Sequence, residues 1–294
     1  IVVYQTMQRC YKISLAGHTV EAVDSIIKKS GNENYRIVIV DNGSDNGTGE
    51  KLSEMYKESE RIKVLLSDSN LGFARGNNIG IKFAVNEYNP KFVVAMNNDI
   101  IMQQDNFYEL IIEEYENSHF AVLGPKVITA DGREDSSPVR KASIDKRSIM
   151  KTCKMERFLY IVDYLHLFWV LQLLNWFVKK AKKNIKKGNL DPYFMKRHEN
   201  VVLHGCFLIF SKDYFFVYDG FDESTFLYHE EEILYLKTSR CGLKLVYNPK
   251  LMIYHKEDSA SEAMIPNSRN NRMFKLKHCM NSNRELIRIE KEMS

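Results

Sequence analysis

The sequence predicts an α/β fold: a mostly parallel central sheet flanked by helices, with a helical insert. Three observations carry that expectation. Short β-rich apolar runs alternate with segments of helical periodicity over the first 130 residues, the runs end in turn chemistry, and near residue 133 the pattern changes in kind. Strand and helix alternating at this spacing build βαβ units, whose crossovers cover both faces of a sheet.

The elements follow in order. The chain opens in the apolar run Ile1-Val2-Val3-Tyr4, without an initiator Met and with no visible signal peptide. This run is expected to be the first core strand, with a few native residues preceding it. Residues 19–29 carry apolar side chains at helical spacing, and 35–40 form a β-rich run ending at Asp41-Asn42-Gly43-Ser44-Asp45. A short helix is expected over 50–58 and a strand over 62–66. The glycine-bearing loop Asn70-Leu71-Gly72-Phe73-Ala74-Arg75-Gly76-Asn77-Asn78 then leads into a helix to about Glu87. A fourth strand over 91–96 breaks at Asn97-Asn98-Asp99. After the insert, strands are expected over 201–210, 243–247 and 251–254, with a helix over 230–240 and an amphipathic, charged helical tail over 269–292. No internal repeat is visible.

This pattern divides the chain into a first α/β half (1–132), a basic and aromatic helical insert (133–200), a second half that resumes the core (201–268) and a helical tail (269–294). Within the insert, 158–178 is apolar and aromatic but interrupted by Asp163, His166, Gln172 and Asn175, and six lysines follow within 179–187. A spanning helix is therefore disfavoured. A helix lying in an anionic membrane interface and a helix packed on the domain or on a partner both remain open.

At 294 residues the chain can bury one large core or two modest ones, and 44% apolar with 27% charged residues suits a soluble globular protein. A formal charge of +4 gives no ground for a nucleic-acid partner, and none is expected. Cys10, Cys153, Cys206, Cys241 and Cys279 are scattered, odd in number and without metal spacing, which predicts free thiols in a reducing compartment.

In sheets of this kind ligands sit beyond the carboxyl ends of the strands. Here those ends offer Asp41, Asn70 with Arg75, and Asp99. Asp99, with His255 from a late strand, would make a partial oxygen and nitrogen shell for Mn²⁺ or Mg²⁺ that substrate phosphates complete. Arg75 and the backbone amides near Gly72 and Gly76 would help a departing diphosphate, and Asp41 has the reach to accept from a nucleobase edge. The loop itself lacks the spacing of a dinucleotide fingerprint or a triphosphate loop. Five carboxylates crowd into residues 222–232 among Phe226, Leu227 and Tyr228. Helix capping explains one or two of them. Crowding and burial raise a carboxylate pKa, which suits general-base work on a hydroxyl.

These motifs resemble family 2 glycosyltransferases with the GT-A fold, of the bacterial rhamnosyl- or galactosyltransferase-like branch of surface polysaccharide synthesis. The likeness runs through Val2-Val3-Tyr4, Asp41-Asn42-Gly43-Ser44, the 70–78 loop and Asn97-Asn98-Asp99. It continues through His204-Gly205-Cys206-Phe207, Gly220-Phe221-Asp222-Glu223, Glu230-Glu231 and Tyr254-His255. It implies inverting transfer from a nucleotide diphosphate sugar, a UDP- or dTDP-sugar, with Mn²⁺ or Mg²⁺. Glu231 would be the base, Glu230 its neighbour, and Asp222 an acid near the acceptor. Asp99 and His255 would hold the metal. Tyr4, Asp41, Asn70, Gly72, Arg75, Asn78 and Asn98 would line the donor site.

Where many relatives carry another acid two positions beyond the catalytic pair, this chain has Ile233. The first position of its metal motif is the amide Asn97. The resemblance further implies a saccharide acceptor, lipid-linked or soluble. It suits a cytoplasmic enzyme, peripheral on the inner face of the cell membrane, and leaves a homo-oligomer open. The competing readings are a nucleotidyltransferase-like enzyme and a catalytically weakened sugar-nucleotide-binding protein.

Overall fold

The computed structural model describes residues 2–5, 15–31, 34–135, 137–138, 146–167, 169, 191–256 and 269–293. The strands are β1 Val2–Gln5, β2 Ile37–Asp41, β3 Ile62–Leu66, β4 Phe92–Asn97, β5 Ile100–Ile101, β6 Val122–Thr129, β7 His198–Glu199, β8 Phe207–Ser211 and β9 Leu245–His255. The helices are α1 Leu15–Ser30, α2 Thr48–Met55, α3 Phe73–Tyr88, α4 Phe107–Ser118, α5 Lys146–Tyr164, α6 Lys212–Phe215, α7 Glu230–Arg240 and α8 Arg269–Met293.

One sheet runs β3-β2-β1-β4-β8-β6-β9-β5, with β7 also on β9. The four strands from β3 to β4 are parallel, β8 enters antiparallel between β4 and β6, and β6 runs parallel to β9. Alternation along each strand divides the core between two faces. Ile37, Ile39, Val94 and Met96 pack with α1 and α4, whereas Val38, Val40, Val93 and Ala95 pack with α3 and α7. A third, smaller cluster joins Ile149 of α5, Ile233 of α7, and Leu286 and Ile289 of α8.

Four details correct the sequence reading. The helix Phe107–Ser118 and the strand Val122–Thr129 were not foreseen, although Phe107, Ile111 and Tyr115 recur at four-residue spacing and are buried. The two late strands are one, β9. Its pairing with β6 shifts register between Asn248 and Met252, so Pro249 falls where the ladder needs no donor. The strand expected from 201 begins only at Phe207. A helix covers Lys146–Tyr164, so helix in the insert begins before the aromatic run at 158; residues 168 and 170–178 of that run lie outside the described residues. The lysine-rich 179–187, and Cys10, lie outside the described residues. Cys153, Cys206, Cys241 and Cys279 are free thiols.

One glycine has a position no other residue could hold. Gly72, at the start of α3, has φ +84°, and a Cβ there would sit 2.2 Å from the Phe226 carbonyl oxygen. That carbonyl accepts the Phe73 N–H at 2.8 Å, so the 70–72 loop and the acidic segment touch backbone to backbone.

Candidate active site

Strand register gathers the site. Gln5 stands opposite Asp41, and Tyr4 opposite both Val40 and Asn97, so the carboxyl ends of β1, β2 and β4 open on one edge. Asp41 is 3% exposed; its Oδ1 accepts the Ser44 N–H at 2.8 Å, while Oδ2 is buried with no hydrogen bond to the described residues. A buried carboxylate oxygen left unmatched is costly, so it suits a ligand donor. Gly49 of α2 packs on it so closely that a Cβ would meet the Asp41 Cγ at 2.9 Å.

The neighbouring Asn42 organises the 70–72 loop. Its side chain donates to Asn70 Oδ1 at 3.0 Å and to the Gly72 carbonyl at 3.2 Å, and it accepts the Leu71 N–H at 3.1 Å. Asn70 Oδ1 also accepts the Gly72 N–H. Asn78 is buried one turn further along α3. It donates to the Phe221 carbonyl and Glu223 and accepts the Phe221 N–H, tying the helix to the acidic segment. Arg75 is exposed and lies 4.0 Å from Glu223. Asn98 is buried and donates to Thr19 of α1.

Asp99 follows β4 and is 3% exposed. β5 pairs Ile100 with His255, which brings His255 Nε2 to 3.2 Å from Asp99 Oδ2. Two adjacent ligands on one octahedral cation with bonds of about 2.1 Å lie roughly 3 Å apart, so this pair fits two positions of a Mn²⁺ or Mg²⁺ shell. No group of three or more His, Cys, Asp or Glu with metal geometry exists among the described residues, and the remaining ligands would come from substrate and water. His204, a residue the sequence reading gave no role, has its ring 6.1 Å from that of His255. Burial, and secondly His255, push its pKa down to about 4, so it is neutral near pH 7. Its Nδ1 accepts the Cys206 N–H at 3.1 Å, which leaves the proton on Nε2.

The acidic side of the crevice is built from α7. Tyr228 and His229 both have positive φ, +73° and +68°, a conformation that costs on the order of 1–3 kcal/mol per residue and turns the chain sharply into the helix. The acids that follow occupy its first turn, where unpaired N–H groups favour negative charge. They are not equivalent. Glu232 pairs with His229 at 3.3 Å; burial pushes its pKa up, but the His229 contact outweighs this and holds it below the usual range. Glu231 is half-buried and accepts the Gly205 N–H at 3.0 Å. Burial first, then the charge of Glu232, push its pKa up. A Cβ at Gly205 would sit 2.6 Å from Glu231 Oε1, so any larger residue would push that carboxylate out of its place. Glu230 is 6% exposed and bonded to the Thr225 hydroxyl, and burial with the Glu231 charge raises it to about 7.

Asp222 bonds Lys237 at 2.8 Å and the Ser224 N–H at 2.9 Å. Burial pushes it up, but these partners hold it below the usual range. The two sides meet through backbone: the Cys206 carbonyl accepts the Asn97 N–H at 2.9 Å, and Gly205 beside it holds Glu231. Gly205, Thr225 and His204 were missed as site residues because their roles are tertiary. The run His204-Gly205-Cys206-Phe207 belongs to the resemblance as a motif, without a role for either of its first two residues.

Glu230 carries a pH prediction. A glutamate titrates near 4.5 in the unfolded chain and Glu230 near 7 in the fold, so between these values the native state binds more protons. Stability is then lost as pH rises through the folded pKa. Glu230→Gln removes the charge and keeps a partner for Thr225. It is expected to be more stable than the parent at pH 8, by about 3 kcal/mol at most, and equal near pH 4. Urea unfolding across this range checks it; parallel pH curves for the two proteins would refute the assignment.

Residues 18–216 match the model of glycosyl transferase family 2. The chain belongs to that family. The matched span holds Asp41, the 70–78 loop, Asp99 and His204; the acidic segment and His255 lie beyond it. Within this family 2 setting, 107 residues are 28% identical to the glycosyltransferase GlyG of Streptococcus pneumoniae, covering 36% of this chain and 34% of that protein. An uncharacterized glycosyltransferase of Haemophilus influenzae is 29% identical over 104 residues, 35% of this chain and 31% of its own. The chain thus spans about a third of the length of the curated relatives it matches. The crystal structure of GalNAc-T7 with UDP, GalNAc and Mn²⁺ aligns over 94% of this chain and 46% of that one, with a TM-score of 0.54 and 15% identity. That likeness is one of fold, GT-A. No helix among the described residues is long and apolar enough to cross a membrane.

Proposed function

We propose that this chain catalyses inverting transfer of a sugar from a nucleotide diphosphate donor to a hydroxyl of a saccharide acceptor. We assign it to the rhamnosyl- or galactosyltransferase-like branch of surface polysaccharide synthesis, at the inner face of the cell membrane. The observation that carries the reading is the half-buried, proton-hungry Glu231, held by Gly205 two residues before β8, the strand that pairs with β4. In this mechanism Glu231 takes the proton of the attacking acceptor hydroxyl, whose oxygen forms the new bond to the anomeric carbon on the face opposite the leaving group. The bond to the nucleoside diphosphate breaks, and its electron pair leaves on the phosphate oxygen. Asp41 Oδ2 accepts from the base. The Gly72 and Gly76 N–H groups, expected to help the diphosphate, are instead taken by Asn70 Oδ1 and the Gly72 carbonyl, so the exposed Arg75 is the cation of this loop left for the diphosphate.

Asp99 and His255 would hold Mn²⁺ or Mg²⁺, which supplies charge neutralisation at the departing diphosphate. The GalNAc-T7 structure with UDP and Mn²⁺ supports this cofactor choice, with a UDP- or dTDP-sugar as donor. A thermal-shift panel tests the donor side. UDP- or dTDP-sugars are expected to raise Tm by several degrees with Mn²⁺ and far less with EDTA, and Asp99→Asn and His255→Ala should abolish the metal-dependent increment. An equal shift with and without metal would overturn the Asp99–His255 assignment.

A further inference from the structure

Helix α5 packs on the acceptor side by one face only. Ile149 joins Ile233, Leu286 and Ile289; Asn283 of α8 bonds Glu156 at 2.8 Å; and Arg272 of α8 grips Asp163. Those two carboxylates are the only acids on α5, and both are turned inward. The opposite face is apolar and basic. Met155, Phe158, Ile161 and Leu165 recur every three or four residues and are exposed, Phe158 by 52% and Leu165 by 56%. Trp169 just beyond the helix is 58% exposed. On the same side Lys151, Lys154 and Arg157 are exposed, with no acid of the helix to balance them.

We infer that this face of α5 is a docking surface for an anionic lipid bilayer, lying in the headgroup layer with its apolar residues below and its lysines and arginine on the phosphates. Charge complementarity selects that occupant. A second copy meeting this face about a two-fold axis would set three cations against three. The chain's own sequence after Trp169 adds six more lysines within 179–187, the same sign again. A bilayer surface supplies both the apolar layer and the counter-charge. The inference deepens the proposed function and rests on it for its purpose. α5 packs along α8, which in turn packs on α7, and Ile149 and Ile233 share one apolar cluster with Leu286 and Ile289, so docking would hold the wall that carries Glu230 and Glu231 near the leaflet, where a lipid-linked acceptor is presented.

Co-sedimentation of the full chain with vesicles tests this, comparing phosphatidylcholine alone with phosphatidylcholine containing phosphatidylglycerol. Binding is expected only to the anionic vesicles. Lys151→Gln/Lys154→Gln/Arg157→Gln should weaken it on the order of 100-fold, at about 1 kcal/mol per charge removed. Phe158→Ser/Leu165→Ser should weaken it tenfold or more, with Tm unchanged in both variants because these side chains are already exposed. Undiminished vesicle binding by both variants would overturn the inference, as would anionic binding that is lost only when the 179–187 lysines are neutralised. So would absent vesicle binding together with a dimer, seen by light scattering, that Phe158→Ser/Leu165→Ser dissociates. The thermal shift with UDP and Mn²⁺, run on the same samples, reports the glycosyltransferase reading separately.

Discussion

Glu231→Gln is expected to lower sugar transfer by roughly 10²–10⁴-fold, the usual contribution of a positioned general base, with the Kd for nucleotide unchanged. Glutamine keeps an oxygen for the Gly205 N–H, so the loop before β8 stays in place. What it loses is the lone pair that accepts the acceptor's proton. Because burial already raises the proton affinity of Glu231, the parent's activity should fall on the acid side of its pH profile, and that limb should vanish in the variant. Single-turnover assays with labelled donor, beside calorimetric titration of nucleotide, separate the two effects. Near-parental transfer by Glu231→Gln would move the base to Glu230, the only other carboxylate of this turn whose pKa is raised.

Arg272→Ala should cost roughly 3–5 kcal/mol of stability, a large loss for a single substitution. Asp163 is 1% exposed and receives two bonds from Arg272, at 2.7 and 2.6 Å. Removing the guanidinium strands a buried carboxylate, which costs more than the pair contributed when intact. Arg269 adds bonds to the carbonyls of Asp163 and Tyr164, closing the last turn of α5. The contact is therefore the clamp between α5 and α8. Adding Asp163→Asn to Arg272→Ala should recover much of the loss, since a neutral amide is far cheaper to bury. Denaturant unfolding of the set measures this; a loss under about 1 kcal/mol for Arg272→Ala would refute the clamp.

The parallel half of the sheet was legible because each apolar β run ends in polar turn residues, Asp41-Asn42-Gly43 and Asn97-Asn98-Asp99 being the clearest. The other half was less so. Gly124-Pro125 breaks the look of β6, and Asn248-Pro249 divides β9 in sequence although a register shift carries the strand through. In the site, the pairing of Asp99 with His255 and the setting of Glu231 on a helix start follow the sequence reading. The resemblance places Asn78 in the donor site with the 70–78 loop, yet in the fold its amide is engaged by Phe221 and Glu223, 143 and 145 residues away in sequence. The division of labour among Glu230, Glu231 and Glu232 was also hidden. It depends on Thr225, Gly205 and His229, whose positions only the folded chain sets.

The joint at Gly72 has one more consequence. The loop at Gly72 and the segment leading to Glu231 are joined by a backbone bond from the Phe73 N–H to the Phe226 carbonyl, and at Gly72 there is no room between them for even a methyl group. Two surfaces fastened this closely do not settle independently. A ligand that orders one side lowers the entropy left to lose on the other, and linkage makes the effect mutual. If donor binding tightens the acceptor by some factor, the acceptor must tighten the donor by the same factor.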